Sequence, residues 1–200
     1  MLVGGESATT PLDTALVYDV NEDVMIDLGR GLDKGARTML TANWVADQGY
    51  IYIAGGFSDV GRNAPSNAID VYDVNSLTFV PKSATEGLNL QVARGGHTST
   101  GLDGSMVFLA GGYGAGGAPL GSIELIHQYY QEVTDPATGA TRGELVIDVA
   151  ATPDGKVPGM SAARAGVKAV TLDSGMALVV GGVGGSETVR GLELYNPPVP

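Results

Sequence analysis

The 200-residue chain contains no cysteine. That excludes a disulfide framework, a thiolate zinc site and a cysteine nucleophile, and it leaves the redox compartment open. Histidine is nearly as scarce: His97 and His127 are the only two, so one copy cannot assemble a three-histidine metal site. No serine stands in a G-x-S-x-G context either, which leaves no case for a Ser-His-Asp triad. Basic residues number 11 against 22 acidic ones, a formal net charge of −11 at pH 7. A polyanion would approach against that field, which argues against nucleic acid or an anionic membrane surface as a partner. Long apolar runs are missing too. "MALVVGGV" (176–183) is among the longest, far below the roughly 18 residues that a membrane helix needs.

Glycine, by contrast, occurs 31 times without a G-X-Y period, in a chain that is 44% hydrophobic. The composition fits short buried segments joined by many tight turns within a single all-β domain. One glycine cluster invites another reading, since "MVFLAGGYGAGGAPLG" (106–121) matches G-x-G-x-x-G at Gly112, Gly114 and Gly117. A dinucleotide loop, however, needs a helix directly after it, so that helix N–H groups face the pyrophosphate.

Internal repetition argues against that. An apolar run ends in a double glycine four times, at Gly4–Gly5, Gly55–Gly56, Gly111–Gly112 and Gly181–Gly182, at intervals of 51, 56 and 70 residues. Arg37, Arg94 and Arg164 stand 18, 17 and 17 residues upstream of the last three. Each arginine is followed by a Thr-, Ala- and Val-rich segment, then by Asp-Gln-Gly (47–49), Asp-Gly (103–104) or Asp-Ser-Gly (173–175). Asp close to Gly between two apolar runs is a hairpin signal. After the glycines come alternating strands, "ALVYD", "AIDVYD", "SIELI" and "GLELY", with polar Asp70, Glu124 and Glu193 between apolar neighbours. "DVMIDL", "LTFV" and a displaced "GELVIDV" (143–149) supply fourth strands. Each unit then forms a four-stranded antiparallel meander of about 50 residues. In the third, Ile123, Ile126, Tyr130 and Val133 also fit a helical stripe, so a short helix competes with strand there.

The arrangement resembles the kelch repeat: an arginine, in one unit a histidine three residues later (His97), the double glycines Gly55, Gly56, Gly111, Gly112, Gly181 and Gly182, and a strand ending near Tyr72 or Tyr195. The resemblance implies a β-propeller-type array of about four kelch-like blades, at 1–29, 37–81, 94–150 and 164–200, within a single domain spanning 1–200. The terminal blades are incomplete, with three, four, four and three strands expected in turn. Mid-blade ends and an opening "MLVGGES" without a targeting core lead us to expect part of a longer reading frame, which self-associates or accepts further blades at its open ends. Kelch-type propellers include copper-radical oxidases similar to galactose oxidase, whose cofactor needs a Cys–Tyr crosslink and histidine ligands. With no cysteine and two histidines, no metal, cofactor or catalytic residue is expected here.

The resemblance implies instead a non-enzymatic scaffold that recognises a protein or glycan partner, in an exported, periplasmic or cell-surface setting. The alternative is an accessory segment of an exported carbohydrate-active enzyme. Arg37, Arg94 and Arg164 are read either as framework residues, each capping backbone carbonyls or pairing with the Asp or Glu of a neighbouring blade's third strand, or as an anion-binding ring facing a central channel. Arg62, Asn63 and Tyr113, on the loops that differ most between units, are further candidate contacts. His97 is expected to form a structural hydrogen bond, and His127 to be an ordinary strand residue. "DVNED" (19–23) opens like a calcium loop, but Val24 replaces the needed glycine and Arg30 the last ligand, so a turn is expected.

Overall fold

The computed structural model describes residues 1–46, 49–102, 105–150 and 159–197. Within them the chain is all-β, built of small antiparallel sheets, none of which closes on itself. The first sheet holds β1 (Leu2–Val3), β2 (Ala15–Asp19) and β3 (Val24–Asp27) in that order. The second runs β4 (Thr41–Val45), β5 (Tyr50–Ala54), β6 (Ile69–Asp73) and β7 (Thr78–Phe79). The third runs β8 (Thr98–Leu102), β9 (Met106–Ala110), β10 (Ile123–Thr134) and β11 (Thr141–Ala150). The fourth joins β12 (Lys168–Thr171), β13 (Ala177–Val180) and β16 (Leu192–Tyr195). Between its last two strands lies the hairpin β14 (Val183–Gly184) and β15 (Glu187–Thr188), which had no counterpart in the sequence expectation.

The run preceding each inner double glycine is apolar throughout because its strand is covered on both faces. In β5, Tyr52 and Ala54 pack with Val107 and Leu109 of the third sheet, while Ile53 packs with Ala15 of the first. In β9 the alternation repeats one sheet later: Phe108 and Ala110 join Ala177 and Val179 of the fourth sheet. Sheets therefore stack in chain order, with a hydrophobic cluster in each gap. At the two ends of the stack the same positions find no cover. Leu2, Tyr18 and Met25 are exposed on the first sheet, and Val170, Val180, Leu192 and Leu194 on the fourth.

Turns between third and fourth strands are closed by aspartate side chains. Asp19 accepts from the amide of Asn21, Asp73 from that of Asn75 and Asp135 from that of Ala137, each at 2.8 Å. These backbone donors favour the charged form and hold the Asp73 and Asp135 carboxyls below the usual range. Asp19–Asp23 is thus the first of three equivalent turns. The Asp-Ser-Gly turn is present as well, with Gly175 at φ +81° and Leu172 accepting from its amide. Asp47, Gln48, Asp103 and Gly104, of the other two hairpin signals, lie outside the described residues.

The helix considered for 122–133 does not form. β10 continues as strand to Thr134 and pairs with β11 from Leu125↔Ala150 to Thr134↔Thr141. The helical stripe of Ile123, Ile126, Tyr130 and Val133 therefore does not lie on one face: Tyr130 is exposed while Ile123 and Ile126 are in separate clusters on opposite sides of the sheet. The extra residues lengthen a hairpin arm beyond the stacked core.

Candidate functional site

The three recurrent arginines are among the most deeply buried large side chains of the chain, at 1%, 0% and 1% exposure for Arg37, Arg94 and Arg164. Each pairs with a carboxylate on the third strand of its own sheet. Arg37 Nη2 donates to Asp70 Oδ2 and Arg94 Nη2 to Glu124 Oε1, both at 2.6 Å, and Arg164 Nη2 to Glu193 Oε1. This corrects the expectation of a neighbouring sheet's carboxylate. It also explains the polar position in those strands, where Asp70 and Glu124 are buried ligands of a guanidinium, not residues of a solvent face.

The rest of the arrangement repeats residue for residue, though not always through the same nitrogen. Each guanidinium donates to the carbonyl of the first glycine of its double glycine: Arg37 Nε to Gly55 at 2.8 Å, Arg94 Nη1 to Gly111 at 2.9 Å, Arg164 Nη1 to Gly181 at 3.3 Å. Each carboxylate also accepts the amide three residues before the arginine, that of Lys34 at 3.0 Å, Gln91 at 2.7 Å and Ser161 at 2.7 Å. Charge-assisted hydrogen bonds offset much of the desolvation of these ions, although Arg94 Nε has no partner among the described residues. Buried and ion-paired within the sheet, these arginines present no ring of charge to solvent.

The carbonyl of each arginine serves the previous sheet. Gly5, Gly56 and Gly112 donate their amides to Arg37, Arg94 and Arg164 at 3.0, 2.8 and 3.0 Å. All four double glycines hold nearly one conformation, with φ of 63–69° at the first residue and 94–104° at the second. A Cβ at Gly4 or Gly55 would stand 2.5 Å from the arginine carbonyl of the next sheet. At Gly181 the corresponding space is open.

His97 belongs to this seam. It occupies the position held by Leu40 and Val167 in the other units, three residues after the arginine, where the side chain covers the first glycine of the preceding sheet. Its Nε2 is 2.8 Å from Thr41 Oγ1. Burial, with the nearby Arg94 charge adding to it, lowers its pKa to about 3, so the ring is neutral. His127 lies in β10 with its ring 5.1 Å from that of Tyr129. Tyr72 and Tyr195 are equivalent framework aromatics, packed on Phe79 and Phe108 at 5.3 and 4.9 Å.

Arg62, Asn63 and Tyr113 are brought together elsewhere. The residue after each of the last three double glycines bridges the residue after the arginine, Phe57 with Thr38, Tyr113 with Gly95 and Val183 with Ala165, so the following loops emerge at equivalent places. Between the loops 57–67 and 113–121 lies a cleft of about 410 Å³. Buried Phe57 forms its floor, wedged against Gly95, where any Cβ would collide with the ring. Arg62 and Asn63 form one wall, Tyr113, Gly116 and Gly117 the other.

Both walls are preformed. Asp59 accepts from the amides of Asn63 and Ala64 at 2.9 and 2.8 Å, and Arg62 is held at φ +59°. The same donors, Ala64 foremost, hold the Asp59 carboxyl below its ordinary range. Opposite, Gly114 donates to Ala118 and Gly117 to Gly114. The Arg62 guanidinium reaches Glu6, on the loop after the first double glycine, through one bond of 3.3 Å, with 51% and 34% of the two side chains exposed. Three successive units thus contribute to one small site. No group of three or more metal-binding side chains occurs among the described residues. No protein-family model matches this chain, and no curated protein matches it.

Proposed function

We propose that the chain is a non-enzymatic binding scaffold, its four units stacked as kelch-like blades of a propeller-type array, and that it receives a saccharide in the cleft formed by Arg62, Asn63 and Tyr113. One observation carries this reading: the recurrent arginines are spent inside the sheets, whereas equivalent loops that differ in sequence converge on a preformed concave site. A cleft of about 410 Å³ suits a small ligand. A stable protein interface covers about 800 Å² on each partner. Tyr113 offers a half-buried ring face, Asn63 an amide donor and acceptor, and Arg62 a fork of donors, the groups that hold hydroxyl-rich rings. The exposed outer sheets are read as surfaces that stack head to tail on a second copy, in the order of the internal gaps.

The test is a panel of oligosaccharides titrated into the wild-type chain and into Tyr113→Ala and Asn63→Ala. We expect at least one saccharide whose affinity falls about tenfold or more in both variants while their thermal unfolding is unchanged. A panel without any binder, or variants that bind as the parent does, overturns the reading.

A further inference from the structure

We infer that the ligand of the cleft carries a carboxylate, an acidic saccharide of the uronic-acid type, and that this carboxylate displaces Glu6 from Arg62. The inference rests on the reading of the cleft as a saccharide site and adds the chemical class of its occupant.

Arg62 is the charged side chain lining the cleft, on a chain of net charge −11. Four of the other cations are committed to the fold. Arg37, Arg94 and Arg164 lie inside the sheets, and Lys34 Nζ donates to the carbonyls of Thr85 and Leu88 at 2.7 Å. Arg62, in contrast, is half exposed, on a loop whose tip is fixed by the Asp59 carboxylate. A loop backbone held in place in this way loses little freedom when a ligand arrives.

Its bond to Glu6 shows what the position accepts. Glu6 comes from a different unit, engages Nη2 alone at 3.3 Å, and keeps a third of its own surface in water. A single exposed contact of that kind contributes at most about 1 kcal/mol. A ligand carboxylate that engages two guanidinium N–H groups in the planar fork geometry forms shorter, charge-assisted bonds and outcompetes it. Glu6 is therefore a weak resident surrogate, released into solvent when the ligand enters. A neutral sugar has no carboxylate to exchange for Glu6, so from Arg62 it gains only neutral hydroxyl hydrogen bonds, weaker than a charge-assisted pair. The acidic surface also limits how much charge a ligand can carry, which favours an oligosaccharide of few carboxylates over a dense polyanion.

The experiment titrates trigalacturonate and neutral galactotriose into the full chain by calorimetry at low and at about 0.5 M salt. We expect trigalacturonate to bind about tenfold tighter at low salt, with the preference shrinking at high salt. Glu6→Gln tightens trigalacturonate several-fold and leaves galactotriose unchanged. Arg62→Gln removes the preference, weakening trigalacturonate more than galactotriose, and leaves thermal unfolding as it was. Equal binding of the two sugars, or a preference that survives Arg62→Gln, overturns the carboxylate assignment while leaving the saccharide reading intact. Failure of both sugars to bind, together with the whole panel, removes both.

Discussion

Arg94 Nη2 and Glu124 Oε1 lie 2.6 Å apart with neither side chain exposing any surface, and the other carboxylate oxygen, Oε2, accepts the amide of Gln91. The pair ties three stretches of one sheet together: the segment before the first strand, the double glycine and the third strand. Burial lowers the pKa of the Arg94 guanidinium, and the adjacent Glu124 carboxylate opposes that shift. Removing one partner leaves the other charge uncompensated in a dry place. Arg94→Met should therefore cost about 3–5 kcal/mol. Arg62→Ala, at a half-exposed pair, should cost less than about 1 kcal/mol. Urea unfolding of the two variants checks the contrast, and equal losses would mean that Arg94 is not a framework residue.

The double glycines allow a comparison within one protein. Gly111 and Gly181 have φ of 66° and 69°, so an alanine at either carries the same left-handed strain of about 1–2 kcal/mol. At Gly111 the added methyl also collides with the Arg164 carbonyl, whereas at Gly181 the space is empty. Gly111→Ala should destabilise clearly more than Gly181→Ala, measured as a difference in thermal midpoint. Identical shifts would show that the gap between the third and fourth sheets is not as close as described.

His97 makes stability depend on pH in a defined window. Its folded pKa of about 3 lies below the unfolded value of about 6.5. The unfolded chain thus takes up a proton that the folded chain refuses, and stability is lost as pH falls from 6.5 toward 3. The slope approaches about 1.4 kcal/mol per pH unit once the pH is well below 6.5. Carboxylates join in below pH 5, so the clean interval is 6.5 to 5. His97→Leu, which restores the residue found at the equivalent Leu40, should flatten the slope in that interval. An unchanged slope assigns the effect to other groups.

Much of this scaffold was legible in the chain because the signals are local. An apolar run ended by two glycines requires a strand followed by a left-handed turn, and four copies of it placed β1, β5, β9 and β13 with their neighbours. The partners of the arginines were legible in kind, as third-strand carboxylates, but not in which sheet supplies them. Asp70, Glu124 and Glu193 read as the polar face of a strand, since alternation cannot tell a residue facing water from one facing a buried cation. Their spacings of 33, 30 and 29 residues from Arg37, Arg94 and Arg164 were the available signal. The β10–β11 arm was ambiguous, as its apolar residues satisfy two periods at once and only pairing with Thr141–Ala150 decides between them. Arg62, Asn63 and Tyr113 stood out as differences between repeats, but their convergence depends on how the second and third sheets stack, and no spacing encodes that.

The proposed head-to-tail stacking predicts that the chain self-associates through its outer faces. The fourth sheet presents Leu192 and Leu194 at 65% and 60% exposure, and the first presents Leu2 at 61%. Stacking of these unlike faces would be a heterologous contact, which propagates in rows. Sedimentation velocity should show concentration-dependent growth that Leu192→Lys combined with Leu194→Lys suppresses. A monodisperse monomer at high concentration would contradict this.

The most direct test of stacking through the arginine carbonyls is amide hydrogen exchange at the second glycine of each pair, read by NMR. The account predicts that Gly56 and Gly112 exchange only through global unfolding and that Gly5 is also protected, whereas Gly182, whose amide has no backbone acceptor among the described residues, exchanges rapidly. Rapid exchange at Gly56 and Gly112, or protection of Gly182 equal to theirs in the monomer, would contradict it.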